Sequence, residues 1–227
     1  MDIKHHYIEK GEGEPIILLH GNGGDSEYFH FQIDEFSKYY KVFAIDTRGH
    51  GKTPRGASPF TMRQFAKDLL FFMDEKKIKK ANLLGFSDGG NIALLFSMNY
   101  PDRVLKLIVD GANLDPSGVD DEINRSIIEA YEEAKKYSEY DEKENLRAEM
   151  MLLMIDDPNI FPTDLISIKA ETLVIAGTDD LIKKEHTKVI ADNIPNSTLK
   201  FIKGGHLVAV ENPIEFNNCV LDFLKKE

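Results

Sequence analysis

The sequence has a single cysteine, Cys219, and no tryptophan. One cysteine excludes an internal disulfide and suits a reducing compartment. Cys219 stands beside Val220 and Leu221 on an expected C-terminal helix, so it reads as a packed thiol rather than a reactive one. Positive charge is also short: 28 lysines and arginines against 39 aspartates and glutamates leave a net charge of −11. Without a basic stripe, nucleic acid and anionic membranes are poor partners, and the acidity reads as solubility. No apolar run approaches the roughly 20 residues that span a bilayer. The first six residues lack the apolar stretch of a signal peptide. The expected location is therefore cytoplasmic, the expected partner a small-molecule substrate, and a homodimer is left open. Neither a metal nor a cofactor is expected.

What is present is an alternation. Apolar runs at residues 16–19 and 42–45 have the continuous character of strands buried on both faces. Further strands are expected at Ala81–Phe86, 104–109, 172–176 and 198–202, with a short edge strand within 2–8. Between them lie helical stretches: 28–39, one from an N-cap at Thr61 to about Lys77, one after Ser87, Lys184–Asn193, and a last one from Asn212. Pro213 and Glu215 give that last helix a capping-box start. Strands alternating with helices predict an α/β protein with a mostly parallel sheet of about seven strands, helices on both faces and right-handed crossovers. In such sheets the functional loops gather beyond the C-terminal strand ends. The stretch at about 112–169 has no strand signal and holds two helical segments, 121–136 and 142–155.

The chain is organised around residues 83–91. Gly85-Phe86-Ser87-Asp88-Gly89 fits G-x-S-x-G, a sharp strand-to-helix turn that lifts a serine hydroxyl clear of the sheet. The flanking positions are glycine because a Cβ there would strike the neighbouring strand or helix. A five-residue pattern also occurs in ordinary turns, so its meaning depends on the rest of the chain.

A serine hydroxyl needs a base to take its proton and a third group to orient that base. Of seven histidines, His5 and His6 lie near a terminus expected to fray, and His30 and His186 fall in expected helices. His20 and His50 sit in glycine-bearing turns, where a backbone or packing role fits better. That leaves His206, in a glycine-flanked loop after a late strand and C-terminal to the acid candidates. For the acid, Asp179 and Asp180 both follow Gly177 at a strand end, and Asp110 ends the strand after the elbow. Placement favours Asp180, with Asp179 making turn hydrogen bonds.

Five motifs now stand in order: His20-Gly21-Asn22-Gly23-Gly24, Asp46-x-Arg48-Gly49-x-Gly51, Gly85-x-Ser87-x-Gly89, Gly177-x-x-Asp180 and Gly205-His206. Over almost the whole chain they resemble the α/β-hydrolase superfamily. The resemblance implies Ser87 as nucleophile, Asp180 as acid and His206 as base, with an oxyanion hole from the backbone N–H groups of Asn22 and Asp88. It makes the turn from Asp46 to Gly51 structural. It also implies one domain over 1–227, with a short helical cap inserted at about 112–169, and an N-terminal hairpin reduced to one strand.

The expected activity is that of a serine hydrolase acting on small carboxylic esters through an acyl-enzyme. Hydrolysis of carbon–carbon bonds, aminopeptidase or perhydrolase chemistry, and a ligand-binding sensor on the same scaffold are the alternatives. The glycine loop at residues 21–24 lacks the G-K-[ST] ending of a P-loop, which disfavours nucleotide binding. The elbow Gly-x-Ser-Asp-Gly-Gly is similar to that of valacyclovir-hydrolase-like esterases of α-amino acids. That makes Asp88 a candidate partner for a substrate ammonium, against a plain scaffold role. Met151 and Met154 are candidate pocket residues of the cap. The acid-rich stretch 120–149 fits a solvated helix face.

Overall fold

The computed structural model describes residues 2–225. Seven strands form one sheet: β1 (Tyr7–Lys10), β2 (Pro15–Leu19), β3 (Lys41–Ile45), β4 (Ala81–Phe86), β5 (Val104–Asp110), β6 (Glu171–Gly177) and β7 (Ser197–Ile202). Their order is β1-β3-β2-β4-β5-β6-β7. Only β1 runs antiparallel, pairing Tyr7 with Ile45; the others are parallel to their neighbours. The central strand β4 is buried along its whole length.

Among the described residues, eight α-helices accompany the sheet: α1 (His30–Phe36), α2 (Met62–Glu75), α3 (Asp88–Asn99), α4 (Asp121–Lys135), α5 (Glu142–Asp156), α6 (Lys184–Asn193), α7 (Val208–Glu211) and α8 (Pro213–Lys225). The strand period of two splits each apolar run between two cores. Ile17 and Leu19 join Phe65, Leu69 and Phe72 of α2, with α3 and α6, on one face. Ile16 and Leu18 join Phe36 of α1 and Phe216 and Val220 of α8 on the other. Burying each such side chain fully contributes about 1.5–3 kcal/mol. Thr61 caps α2 by accepting from the Gln64 N–H. Asp120 and Asp141 cap α4 and α5 in the same way.

Several expectations change. The edge strand lies at Tyr7–Lys10 rather than within 2–8, and the helix expected over 28–39 is a 3-10 turn, Ser26–Phe29, followed by the shorter α1. The N-terminal segment is pinned, not frayed. Asp2 pairs with Arg48, whose side chain is fully buried and also forks onto Asp68 at 2.7 and 2.9 Å. His6 Nδ1 meets Asp46 Oδ2 at 2.9 Å. His5 is buried edge-on against Phe72, and burial holds its pKa below the ordinary histidine value. The short α7 has no counterpart in the sequence reading. Among the described residues no helix is long and apolar enough to cross a membrane, and no cluster of His, Cys, Asp and Glu is placed to hold a metal.

Candidate active site

Strand β4 runs into a turn held from both sides. The Ser87 N–H donates to the Asp110 carbonyl at 2.8 Å, and the Asn91 N–H donates to the Ser87 carbonyl at 3.0 Å, opening α3. Ser87 itself takes φ +52° and ψ −121°, a conformation that costs a non-glycine residue about 1–3 kcal/mol. Two bare backbones make room for it. A Cβ on Gly85 would lie 2.2 Å from the Gly89 carbonyl oxygen, and one on Gly89 would lie 2.0 Å from that of Leu19.

Ser87 Oγ lies 3.1 Å from His206 Nε2, and His206 Nδ1 lies 2.7 Å from Asp180 Oδ1. The Asp180 side chain is 2% exposed and accepts from the Gly177 and Ile182 N–H groups. An ionised carboxylate only accepts, so Nδ1 carries the imidazole proton and Nε2 is left to receive one from Ser87. The ring rests on Phe86 at 4.8 Å between centroids. Gly111 lies beneath it, where a Cβ would come within 2.9 Å. Asp179 turns away and accepts from Thr178 Oγ1. Asp110, the third candidate, is buried with neither carboxyl oxygen partnered. Burial, reinforced by the Asp180 charge, holds its pKa well above the usual carboxylate range.

The loop after β2 crosses Ser87 closely: a Cβ on Gly21 would stand 3.0 Å from the Ser87 Cβ. His20 holds that loop, donating from Nδ1 to the Gly21 carbonyl at 2.7 Å and accepting the Thr47 N–H at Nε2 at 3.1 Å. Burial lowers the pKa of His20, and that of His50 to about 4, so both are neutral packing groups. The Asn22 N–H has no acceptor among the described residues. The Asp88 N–H, at the first position of α3, precedes the helical ladder. Two main-chain donors beside the serine can receive an oxygen that gains charge in acyl transfer.

A cavity of about 270 Å³ opens over this group. Its walls include Phe86, Val119, Ile123, Ile127, Met154, Leu181, Ile182 and Leu207, with Asn22, Asn113, Asp88 and Asp157 as the other polar members. Among the described residues no lysine or arginine lines it. A larger groove, about 890 Å³, runs between β7 and α8, away from Ser87.

The α/β-hydrolase fold family model matches residues 14–136. The serine hydrolase BPHL of Homo sapiens is 30% identical over 97% of this chain and 82% of its own length. The chain belongs to the α/β-hydrolase family. The hydrolase is also 36% identical to the (E)-2-((N-methylformamido)methylene)succinate hydrolase of Acinetobacter baylyi, over 46% of this chain and 40% of that one. Its fold superposes on the enol-lactonase of Burkholderia xenovorans with a TM-score of 0.83 at 23% identity, covering 99% and 97% of the two chains. It is an enzyme of the hydrolase class.

Asp88 points into the cavity and is 8% exposed. Its Oδ2 accepts from Asn22 Nδ2 at 2.9 Å. Burial raises its pKa to about 6, with the Asn22 hydrogen bond opposing and the Asp157 charge adding to the shift. Asn22 Nδ2 donates as well to the Met150 carbonyl at 2.9 Å, tying the elbow to α5. Met154 lines the cavity but Met151 does not, which corrects the expectation for that residue. One turn back along α5, about 5 Å, Met151 is half-buried outside the lining. The acid-rich surface of α4 faces solvent, with only Ala134 buried.

Asp157, Asn113 and His186 also belong to this region. Asn113 pairs with Asn91 of α3 through two hydrogen bonds. His186 Nε2 accepts the Leu114 N–H at 2.8 Å and anchors the start of the cap segment. No local pattern marks any of the three.

Proposed function

We propose that the hydrolase cleaves small carboxylic esters through an acyl-enzyme on Ser87, and that it favours acyl groups bearing an α-ammonium. The observation that carries the first part is the continuous chain Asp180–His206–Ser87, at 2.7 and 3.1 Å. His206 Nε2 takes the Ser87 proton as Oγ attacks the carbonyl carbon. The carbonyl oxygen turns negative between the Asn22 and Asp88 N–H groups, each such donor typically contributing about 2.7–4 kcal/mol in the transition state. His206 then protonates the leaving alcohol, and water reverses the sequence to free the acid. Identity with a relative named a serine hydrolase supports the choice of nucleophile.

The ammonium preference rests on Asp88. One of its oxygens is held by Asn22, while Oδ1 has no hydrogen-bond partner among the described residues, and no lysine or arginine among them lines the cavity. A desolvated carboxylate beside the reacting carbonyl gains most from an opposite charge on the substrate.

The test is intact-mass analysis after fluorophosphonate treatment, with p-nitrophenyl acetate turnover alongside. One adduct is expected on the wild type and none on Ser87→Ala. An adduct surviving in Ser87→Ala overturns the nucleophile. For Asp88, kcat/KM is compared between aminoacyl and N-acetyl-aminoacyl esters. The wild type should prefer the free amine, increasingly so as pH rises through about 6 and Asp88 ionises. Asp88→Asn should lose that preference; an unchanged ratio refutes the ammonium seat.

A further inference from the structure

The cavity holds a second carboxylate whose position the ester chemistry does not explain. Asp157 follows the last turn of α5 and lines the same space as Ser87 and Asp88. Its Oδ2 accepts the Met62 N–H at 3.0 Å, which ties the end of the cap segment to the start of α2. Its Oδ1 accepts nothing from the described residues and is not sealed in the interior. Asp88 is built the same way, with Oδ2 held by Asn22 and Oδ1 unpartnered. Two carboxylates, one at the start of α3 and one just past α5, each have one held and one free oxygen and line the same, otherwise largely apolar cavity.

We propose that Asp157 is a second substrate anchor, and that with Asp88 it selects acyl groups carrying two cationic nitrogens, as in lysyl or ornithyl esters. This rests on Asp88 seating the α-ammonium. A monocation there would answer Asp88 and leave Asp157 with no counter-charge inside the cavity, only the charge of Arg63 outside the lining and the Met62 N–H, an arrangement that leaves a desolvated carboxylate poorly compensated. A basic amino-acyl group supplies both charges within the length of one side chain. The aliphatic stem between them would rest on the cavity's apolar lining, which includes Ile127 and Met154, as such stems do on apolar surface. A cavity of about 270 Å³ is small among ligand pockets and suits a substrate of amino-acid size. The two carboxylates already sense each other, since the Asp157 charge contributes to the raised pKa of Asp88. Asp157 is itself raised by burial. A dication relieves both.

The experiment compares ethyl esters of lysine and of 2-aminoheptanoic acid, in which a methyl group replaces the ε-ammonium. The wild type is expected to favour the lysyl ester by about tenfold or more in kcat/KM, the worth of one charged hydrogen bond. In Asp157→Asn that ratio should fall close to one, while the preference for free over N-acetylated α-amine, measured on the 2-aminoheptanoyl ester, persists. A purely structural role for Asp157 would slow both ethyl esters together and leave their ratio intact, which overturns the proposal. So does a wild type with no lysyl preference. Loss of the α-amine preference in Asp88→Asn tests the underlying reading separately, so the two ideas fail by different measurements. Asp157→Glu, which keeps the charge, should retain part of the lysyl preference.

Discussion

Two walls meet over Ser87, and they are made differently. On the sheet side, Ser87, Asp180 and Asn22 follow strand ends, and main-chain hydrogen bonds hold the turns that carry them. The adjoining helix α3 buries a continuous run from Asp88 to Ser97. On the other side, α4 buries only Ala134, and α5 only Ala148 and Leu153. Bond-making groups need geometry held to fractions of an ångström, and the sheet edge supplies it. A wall with few buried contacts opens locally at lower cost, and it is the wall that adds Met154 and, just past α5, Asp157. The catalytic geometry lies on the more buried wall, together with Asp88, and the less buried wall closes the rest of the cavity.

The sharpest way to break the comparison is within the rigid wall, between two aspartates on neighbouring strand ends. Asp180→Asn should cut kcat for an ester by about 10⁴-fold, because the imidazole loses its orienting acceptor. Asp110→Asn should stay within about threefold, since the Asp110 carboxyl oxygens have no hydrogen-bond partner. Its signature is pH-dependent stability instead. A carboxyl whose folded pKa is raised costs nothing below its unfolded value near 4, and the cost grows as pH rises above it. The stability gain of Asp110→Asn over wild type, from urea unfolding, should therefore be larger at pH 8 than at pH 5. A difference independent of pH would refute the assignment.

The next effect lies beneath the same wall. Removing the buried Arg48 guanidinium leaves Asp68 uncompensated, which costs about 3–5 kcal/mol, or roughly 6–20 °C in Tm for a chain of this size. Calorimetry checks it, and a Tm within 2 °C or so of wild type would show that the network is dispensable. The smallest effects belong to the cap wall. Met154→Ala should raise KM for an apolar ester by about threefold to tenfold, whereas Met151→Ala should leave it unchanged. Equal effects from both would mean that the cap repacks over the cavity.

The sheet was legible because each buried strand carries its own signal. Residues 16–19 are apolar throughout, and 81–86 are apolar but for Asn82, since helices cover both faces, and the glycines around Ser87 record how closely strand and helix approach. Helix ends marked by Thr61, Asp120 and Asp141 are equally local. The shift of the edge strand to Tyr7–Lys10 was not, because Asp2 and His6 are held by Arg48 and Asp46, some 40 residues on. Likewise His5 looked like a terminal residue and is a packed one. Met151 and Met154 were equal on sequence, and the reach of α5 over the cavity separated them. Asp157 had no motif at all, only a place at the end of a helix.

By itself, the sequence determined the α/β architecture, the turn that lifts Ser87 and the candidates for its partners, because turns and periodicities are written in neighbouring residues. Only the tertiary structure decided which aspartate faces His206, leaving Asp110 buried and Asp179 turned outward. It also decided that a second carboxylate shares the cavity with Asp88. Those are matters of distance between strand ends and across a cavity. Burial and charge there act between groups tens of residues apart, and no local pattern records them.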